Sequence, residues 1–160
     1  MASGGATHKL KALLAGKPVL QHVIDAVLAS GLHFHVEDAG HPGMGDSIAA
    51  AVRATPDANG WLVLPGDLPL IQPSTLRLLA DLLARHEVVA PVFNGKRGHP
   101  VGFSKECREQ LMNLQGEQGA SRLVRLHIVK EVQVEDIGTV TDVDTVEALQ
   151  HAQALLDARG

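Results

Sequence analysis

The segment Trp61-Leu62-Val63-Leu64-Pro65-Gly66-Asp67 narrows the possible folds more than any other stretch, because four apolar residues are stopped by Pro-Gly and followed by one acid. A run this short and apolar reads as a strand buried on both faces, as in α/β sheets with helices above and below. The stop leaves the Asp67 carboxylate at the carboxyl edge of the sheet, where such folds bind ligands. An unpaired buried carboxylate costs several kcal/mol or more, so a cation, a cluster of donors or water is expected beside it. Pro-Gly-Asp is also ordinary turn chemistry, and an Asp that merely closes the turn satisfies the same residues.

Elsewhere apolar periods alternate between those of helices and strands. Pro18 opens a helix with Val19, Val23, Ile24, Val27 and Leu28 at helical spacing and Gly31 as its stop. Residues 32–36 read as a strand, and Asp46 or Ser47 caps a helix reaching Ala54. Pro73 starts a helix, and residues 88–93 and 100–103 flank Asn94-Gly95-Lys96-Arg97-Gly98 as a hairpin or strand pair with a mobile tip. Short helices at 105–112 and 120–126 precede a strand at 128–134. A last helix follows, capped by Asp144 or Thr145, with Val146, Leu149, Ala152, Leu155 and Leu156 inward. The pattern predicts a single Rossmann-like, three-layer α/β domain over residues 1–160, with mostly parallel strands and a small β lid around 97–103.

The 160 residues suffice to bury about 70% of the unfolded surface. A net charge of -4 with no dense basic run argues against nucleic acid as a partner, and 2% aromatic residues argue against stacked bases. One cysteine, Cys107, excludes an internal disulfide and reads as a small buried side chain. No signal-peptide pattern or long apolar span appears, which predicts no membrane contact and a cytoplasmic protein. His33, His35 and His41 suggest a zinc cluster, but no Cys pair or His-Glu-x-x-His helix accompanies them, and that reading is rejected.

Lys9-Leu10 with Gly16-Lys17-Pro18-Val19-Leu20, Gly43-Met44-Gly45-Asp46-Ser47-Ile48, Leu64-Pro65-Gly66-Asp67-Leu68-Pro69, Gly98-His99-Pro100-Val101, Gly116-Glu117-Gln118-Gly119-Ala120 and Asp142-Val143-Asp144-Thr145 follow one another along the chain. Singly each is unspecific. Together, in this order, they resemble the molybdenum cofactor cytidylyltransferase branch of the nucleotidyltransferases, the group related to molybdopterin guanylyltransferase. The resemblance covers nearly the whole chain.

It implies attack by a substrate phosphate on the α-phosphorus of a nucleoside triphosphate, with pyrophosphate leaving and Mg²⁺ held by Asp67 and Asp144. Asp142, two residues from Asp144, points to the same side of an extended segment. Lys9 and Asp67 become the catalytic residues, Lys9 as a cation that neutralises the triphosphate or the charge growing on the bridging oxygen, and Gly4, Lys9, Gly43, Ser47, Pro65, Gly66 and Asp67 line the nucleotide. Arg97, His99, Gly119 and Arg122 face the pterin-bearing acceptor. The Gly116 to Arg122 stretch departs from the family pattern, so Arg125 competes with Arg122. The implied partners are the triphosphate, CTP ahead of GTP, a molybdopterin-type acceptor and a molybdenum-dependent oxidoreductase.

Simpler roles stand beside these: helix capping for Asp144, a turn residue for His99, a surface cation for Lys9 and a plain helix entry for Gly43. The family's first strand and most of its phosphate loop have no counterpart near Met1, nor does its strand-helix-strand stretch before Gly43. Breaks at residues 3–5 and 37–40, or a truncated chain, are the expectation. Guanylyl transfer, transfer to a sugar phosphate, and a non-catalytic carrier of the cofactor stay open.

Overall fold

The computed structural model describes residues 12–37 and 40–159. Five strands form the central sheet: β3 (Gly60–Val63), β4 (Val88–Phe93), β5 (Lys96–Arg97), β6 (Val101–Ser104) and β7 (Val129–Gln133). A separate ladder pairs β1 (Leu13–Leu14) with β2 (Lys17–Pro18). The helices are α1 (Val19–Ser30), α2 (Met44–Ala54), α3 (Pro73–Leu82), α4 (Arg108–Met112), α5 (Ser121–Arg125) and α6 (Val146–Arg159), with 3-10 turns at Lys105–Cys107 and Ile137–Val140.

Strand β6 lies antiparallel between β3 and β4. Val88 and Val89 pair with β6 and also with β7, so β7 occupies the other side of β4, parallel to it. Strands β3, β4 and β7 therefore run one way, and their carboxyl ends meet at one edge.

Alternation along each strand sorts the side chains onto two faces. Trp61, Val63, Val101 and Phe103 join Ile48, Val52, Leu111 and Leu123 in the cluster under α2, α4 and α5. Leu62 and Leu64 turn the other way, toward Ala26, Ile71 and Leu76 of the α1 and α3 layer. A third cluster joins Leu14, Val19 and Leu70 to Val143 and to Ala152 of α6. The result is the three-layer α/β arrangement anticipated from the sequence.

Several local expectations are corrected. The stretch anticipated as a lid is divided: β6 is an interior strand, and only the β4–β5 hairpin stands at the edge, turning through Asn94 and Gly95 at φ 49° and 80°. Both positive angles belong to the two-residue turn that matches strand twist. Among the described residues, 32–36 have no ladder partner, and Phe34 and Val36 are exposed. Helix α2 begins three or four residues earlier than anticipated, capped by Gly43, which places Asp46 and Ser47 inside its first turns. In α6, Val146 is exposed, while Thr145 Oγ1 accepts the Ala148 N–H at 3.0 Å and so caps the helix instead of Asp144. Cys107 is buried as expected, and burial pushes its thiol up from the ordinary value.

Residues 1–7 with Gly4, the Lys9 position and residues 38 and 39 lie outside the described residues. Among the described residues no helix is long and apolar enough to cross a membrane.

Candidate active site

Strand β3 ends at Val63, opposite Val101 of β6. The chain continues through Pro65 and the buried Gly66 to a half-buried Asp67, so the acid stands at the carboxyl edge as the Pro-Gly stop implied. The Val143 N–H donates to the Asp67 carbonyl at 2.8 Å. That bond lays the Asp142-Val143-Asp144 segment along the Asp67 turn. Val143 points into the core, 3% exposed, whereas Asp142 and Asp144 are exposed. The alternation puts both acids on the side away from Val143, as in any extended segment.

His99 reaches the same edge by a different route. Between the Gly98 N–H to Pro91 carbonyl bond and the Val89↔Gly102 pair, His99, Pro100 and Val101 stand opposite Ala90 alone. Pro100 has no N–H to give the ladder, so the chain bulges there, and the His99 N–H turns out to the Thr139 carbonyl at 2.9 Å. Gly98 is required at this point: a Cβ on it would lie 2.2 Å from Thr139 O.

The His99 imidazole keeps an exposed edge, yet the protein packed around it removes enough water to hold its pKa below the ordinary value, with the Asp142 carboxylate pulling the other way. Between that lowered value and the ordinary 6.5, the folded chain binds fewer protons at His99 than the unfolded chain. Stability contributed by His99 is therefore present above about 6.5, is lost as pH falls through the window, and is gone below the folded value. Denaturant midpoints of wild type and His99→Asn measured from pH 7.5 to 5 should diverge most at the alkaline end and approach each other as pH drops. Parallel curves would contradict the shift.

A second group gathers around the start of α2. The Gly45 N–H donates to the Gly116 carbonyl at 2.8 Å, and Asp46 Oδ2 accepts the Gly116 N–H at 3.1 Å. A Cβ on Gly43 would lie 2.5 Å from Gly116 backbone atoms, and one on Gly119 would meet Met44 Cγ at 3.0 Å. The glycine requirement at Gly43 thus has a packing cause, the close approach of Gly116. Ser47 is buried, and Arg122 and Arg125 are both exposed on α5.

Arg97 is turned toward β7, where Nη2 lies 2.9 Å from Glu131 Oε2. The pair is exposed on both sides, and releasing Arg97 from it costs little, since such pairs contribute about 0–1 kcal/mol. Asp67, His99, Asp142 and Asp144 are therefore brought to one edge, Gly43, Ser47, Gly119 and Arg122 to the neighbourhood of α2, and Gly4 and Lys9 lie outside the described residues.

Among the described residues, no group of three or more His, Cys, Asp or Glu is gathered closely enough to hold a metal ion. His35 and His41 instead share Glu37, at 2.9 and 2.7 Å. Asp67, Asp142 and Asp144 are the carboxylates at the edge, and Mg²⁺ accepts one or two carboxylates while keeping several waters.

The sequence reading missed Asp136, Gly138 and Thr139, which hold the edge together. Their signal was present as an Asp two residues ahead of a Gly, the pattern of a side chain capping its own turn.

The family model for the MobA-like NTP transferase domain matches residues 25–134. The chain belongs to this family. The MobA-like match begins in α1 and runs through β7, so it contains Asp67 and His99, while Asp142 and Asp144 follow it. Among curated relatives, the bifunctional protein GlmU of Desulfitobacterium hafniense is 28% identical over 181 residues, covering 95% of this chain and 38% of that protein. The chain thus spans about two-fifths of the length of that relative. The crystal structure of Rv0371c from Mycobacterium tuberculosis H37Rv in complex with manganese aligns with a TM-score of 0.79 at 24% identity, covering 96% of this chain and 95% of that one. Molybdopterin-guanine dinucleotide biosynthesis protein A from Archaeoglobus fulgidus aligns with a TM-score of 0.69 at 17% identity, covering 94% and 91%. The MobA-like domain described here shares their nucleotidyltransferase fold.

Proposed function

We propose that this chain transfers a nucleotidyl group from a nucleoside triphosphate, CTP in preference to GTP, to the phosphate of a molybdopterin-type acceptor. An acceptor phosphate oxygen bonds to the α-phosphorus, the bond from that phosphorus to the α–β bridging oxygen breaks, and pyrophosphate leaves with the electron pair. The single observation that supports the reading is the 2.8 Å backbone bond from Val143 to Asp67, which joins two distant acid-bearing segments of the chain at the carboxyl edge of the sheet.

The reaction asks for alignment and charge control more than for covalent chemistry. Asp67 and Asp144 are the residues that would hold Mg²⁺, whose charge would neutralise the triphosphate oxygens. Asp142 acts on His99 through its charge, and the imidazole offers a hydrogen bond to the acceptor phosphate or pterin edge. Arg97, released from Glu131, gives that phosphate a fork of donors. Gly43 and Ser47 approach the nucleotide at the start of α2, Gly119 and Arg122 complete the acceptor side, and Lys9 neutralises the departing pyrophosphate. The preference for CTP is supported by Gly98-His99-Pro100 and Asp142-Val143-Asp144-Thr145, whose order resembles the cytidylyl branch. A molybdenum-dependent oxidoreductase is the partner such a product implies.

Pyrophosphate release measured with each of the four NTPs against molybdopterin and against a panel of sugar phosphates tests the reading. Turnover with CTP and molybdopterin is expected. Turnover with sugar phosphates alone, or tight molybdopterin binding without release from any NTP, overturns it in favour of another acceptor or a carrier.

A further inference from the structure

One carboxylate outside the proposed chemistry ties the edge together. Asp136, just after β7, is only 6% exposed, and both of its oxygens are occupied. Oδ1 accepts the Gly138 N–H at 2.9 Å, while Oδ2 accepts the Gln72 N–H at 2.9 Å and the Thr75 hydroxyl at 2.8 Å. Arg159 Nη2 stands 3.8 Å from Oδ1 and donates to the Leu70 carbonyl at 2.9 Å. A buried carboxylate satisfied by donors from its own turn and from the start of α3 fixes those two elements relative to one another, with the Arg159 charge of α6 facing it.

The turn it holds, Ile137–Val140, touches both the loop leading from Asp67 and the His99 bulge. On one side Gly138 lies against the Leu70 carbonyl, so closely that an added Cβ would stand 2.2 Å from it, which grips the loop leading from Asp67. On the other, the Thr139 carbonyl takes the His99 N–H at 2.9 Å. The turn then runs directly into Thr141 and the Asp142-Val143-Asp144 segment. Asp67, His99 and Asp144 thus hang from one support, and Asp136 is its cap.

We infer that Asp136 is a positioning residue: through the 137–140 turn its carboxylate holds the His99 bulge at the edge and keeps the Asp144 segment on the Asp67 loop. The kinetic part of this inference rests on the nucleotidyl-transfer reading; the structural part does not.

Asp136→Asn is the decisive variant, because it keeps the size and one acceptor but turns an NH₂ toward donors. Amide hydrogen exchange followed by NMR on the full chain reads the site directly, and native-state exchange resolves local from global opening. The expected result is a loss of protection of about 10-fold or more at the His99 and Val143 amides beyond any loss in β4 and β6. In the same variant kcat should fall on the order of 10²-fold with the KM for CTP changed by less than about threefold, since misplacement affects the transition state more than ground-state binding. A uniform loss of protection across sheet and site, or unchanged protection at His99 and Val143, overturns the inference. If wild type turns over no NTP with any acceptor, the proposed function fails, and the exchange measurement still decides the role of Asp136.

Discussion

Asp67→Ala lowers kcat for nucleotidyl transfer by about 10³-fold or more, the range lost when one preorganised charge partner of a transferring phosphoryl group is removed. The fold survives this change. The Val143 bond that anchors the neighbouring acids is made to the Asp67 carbonyl, which alanine retains, and the side chain is only half-buried. The measurement is pyrophosphate release by wild type and variant at saturating CTP and molybdopterin, with a thermal melt of each. Asp144→Ala should fall by a comparable factor, and the two losses together should be far from additive, because residues acting on one ion act as a unit. Full activity of Asp67→Ala would remove the metal assignment.

Gly138→Ala is expected to destabilise the chain by about 3 kcal/mol or more, the upper end of the cost of overpacking. For a chain of this size that lowers the melting temperature by about 10 °C. The added methyl would lie 2.2 Å from Leu70 O, 2.3 Å from Leu70 C and 2.6 Å from Ile71 N. All three are backbone atoms, which have no rotamer to escape into, so the loop after Asp67 or the 137–140 turn has to move. Gly95→Ala is the matched comparison: nothing lies within 4 Å of its Cβ position, and only its φ of +80° opposes a side chain. That strain costs about 1–2 kcal/mol. Urea midpoints for the pair should rank in that order, and equal losses would show that crowding at Leu70 is not what Gly138 relieves.

The parts of the fold legible in the sequence were those specified by neighbours along the chain. The Pro-Gly stop after Leu64 marked the end of β3 and the placement of Asp67, Pro73 marked the start of α3, and Asn94-Gly95 marked the hairpin turn. Errors arose where a distant segment decides. Residues 32–36 have strand composition but no ladder partner among the described residues, and Gly43 caps α2 because Gly116 approaches it from another part of the chain. In the site, the edge position of Asp67 could be read from local chemistry, and the resemblance supplied Asp144. The Asp136-x-Gly138 turn left a local signal, but its link to α3 could not be read, because the donors Gln72 and Thr75 stand 64 and 61 residues away and each looks like an ordinary helix-start residue. Asp136 looked like one acid among several; only tertiary packing shows it to be buried between its own turn and the start of α3, with Arg159 of α6 facing it.

The most direct test is an anomalous difference map from crystals grown with Mn²⁺ and CTP. One peak bonded to carboxylate oxygens of both Asp67 and Asp144 is the predicted result; a peak bonded to only one of them, or two separate peaks, would contradict the convergence on which the proposed function depends.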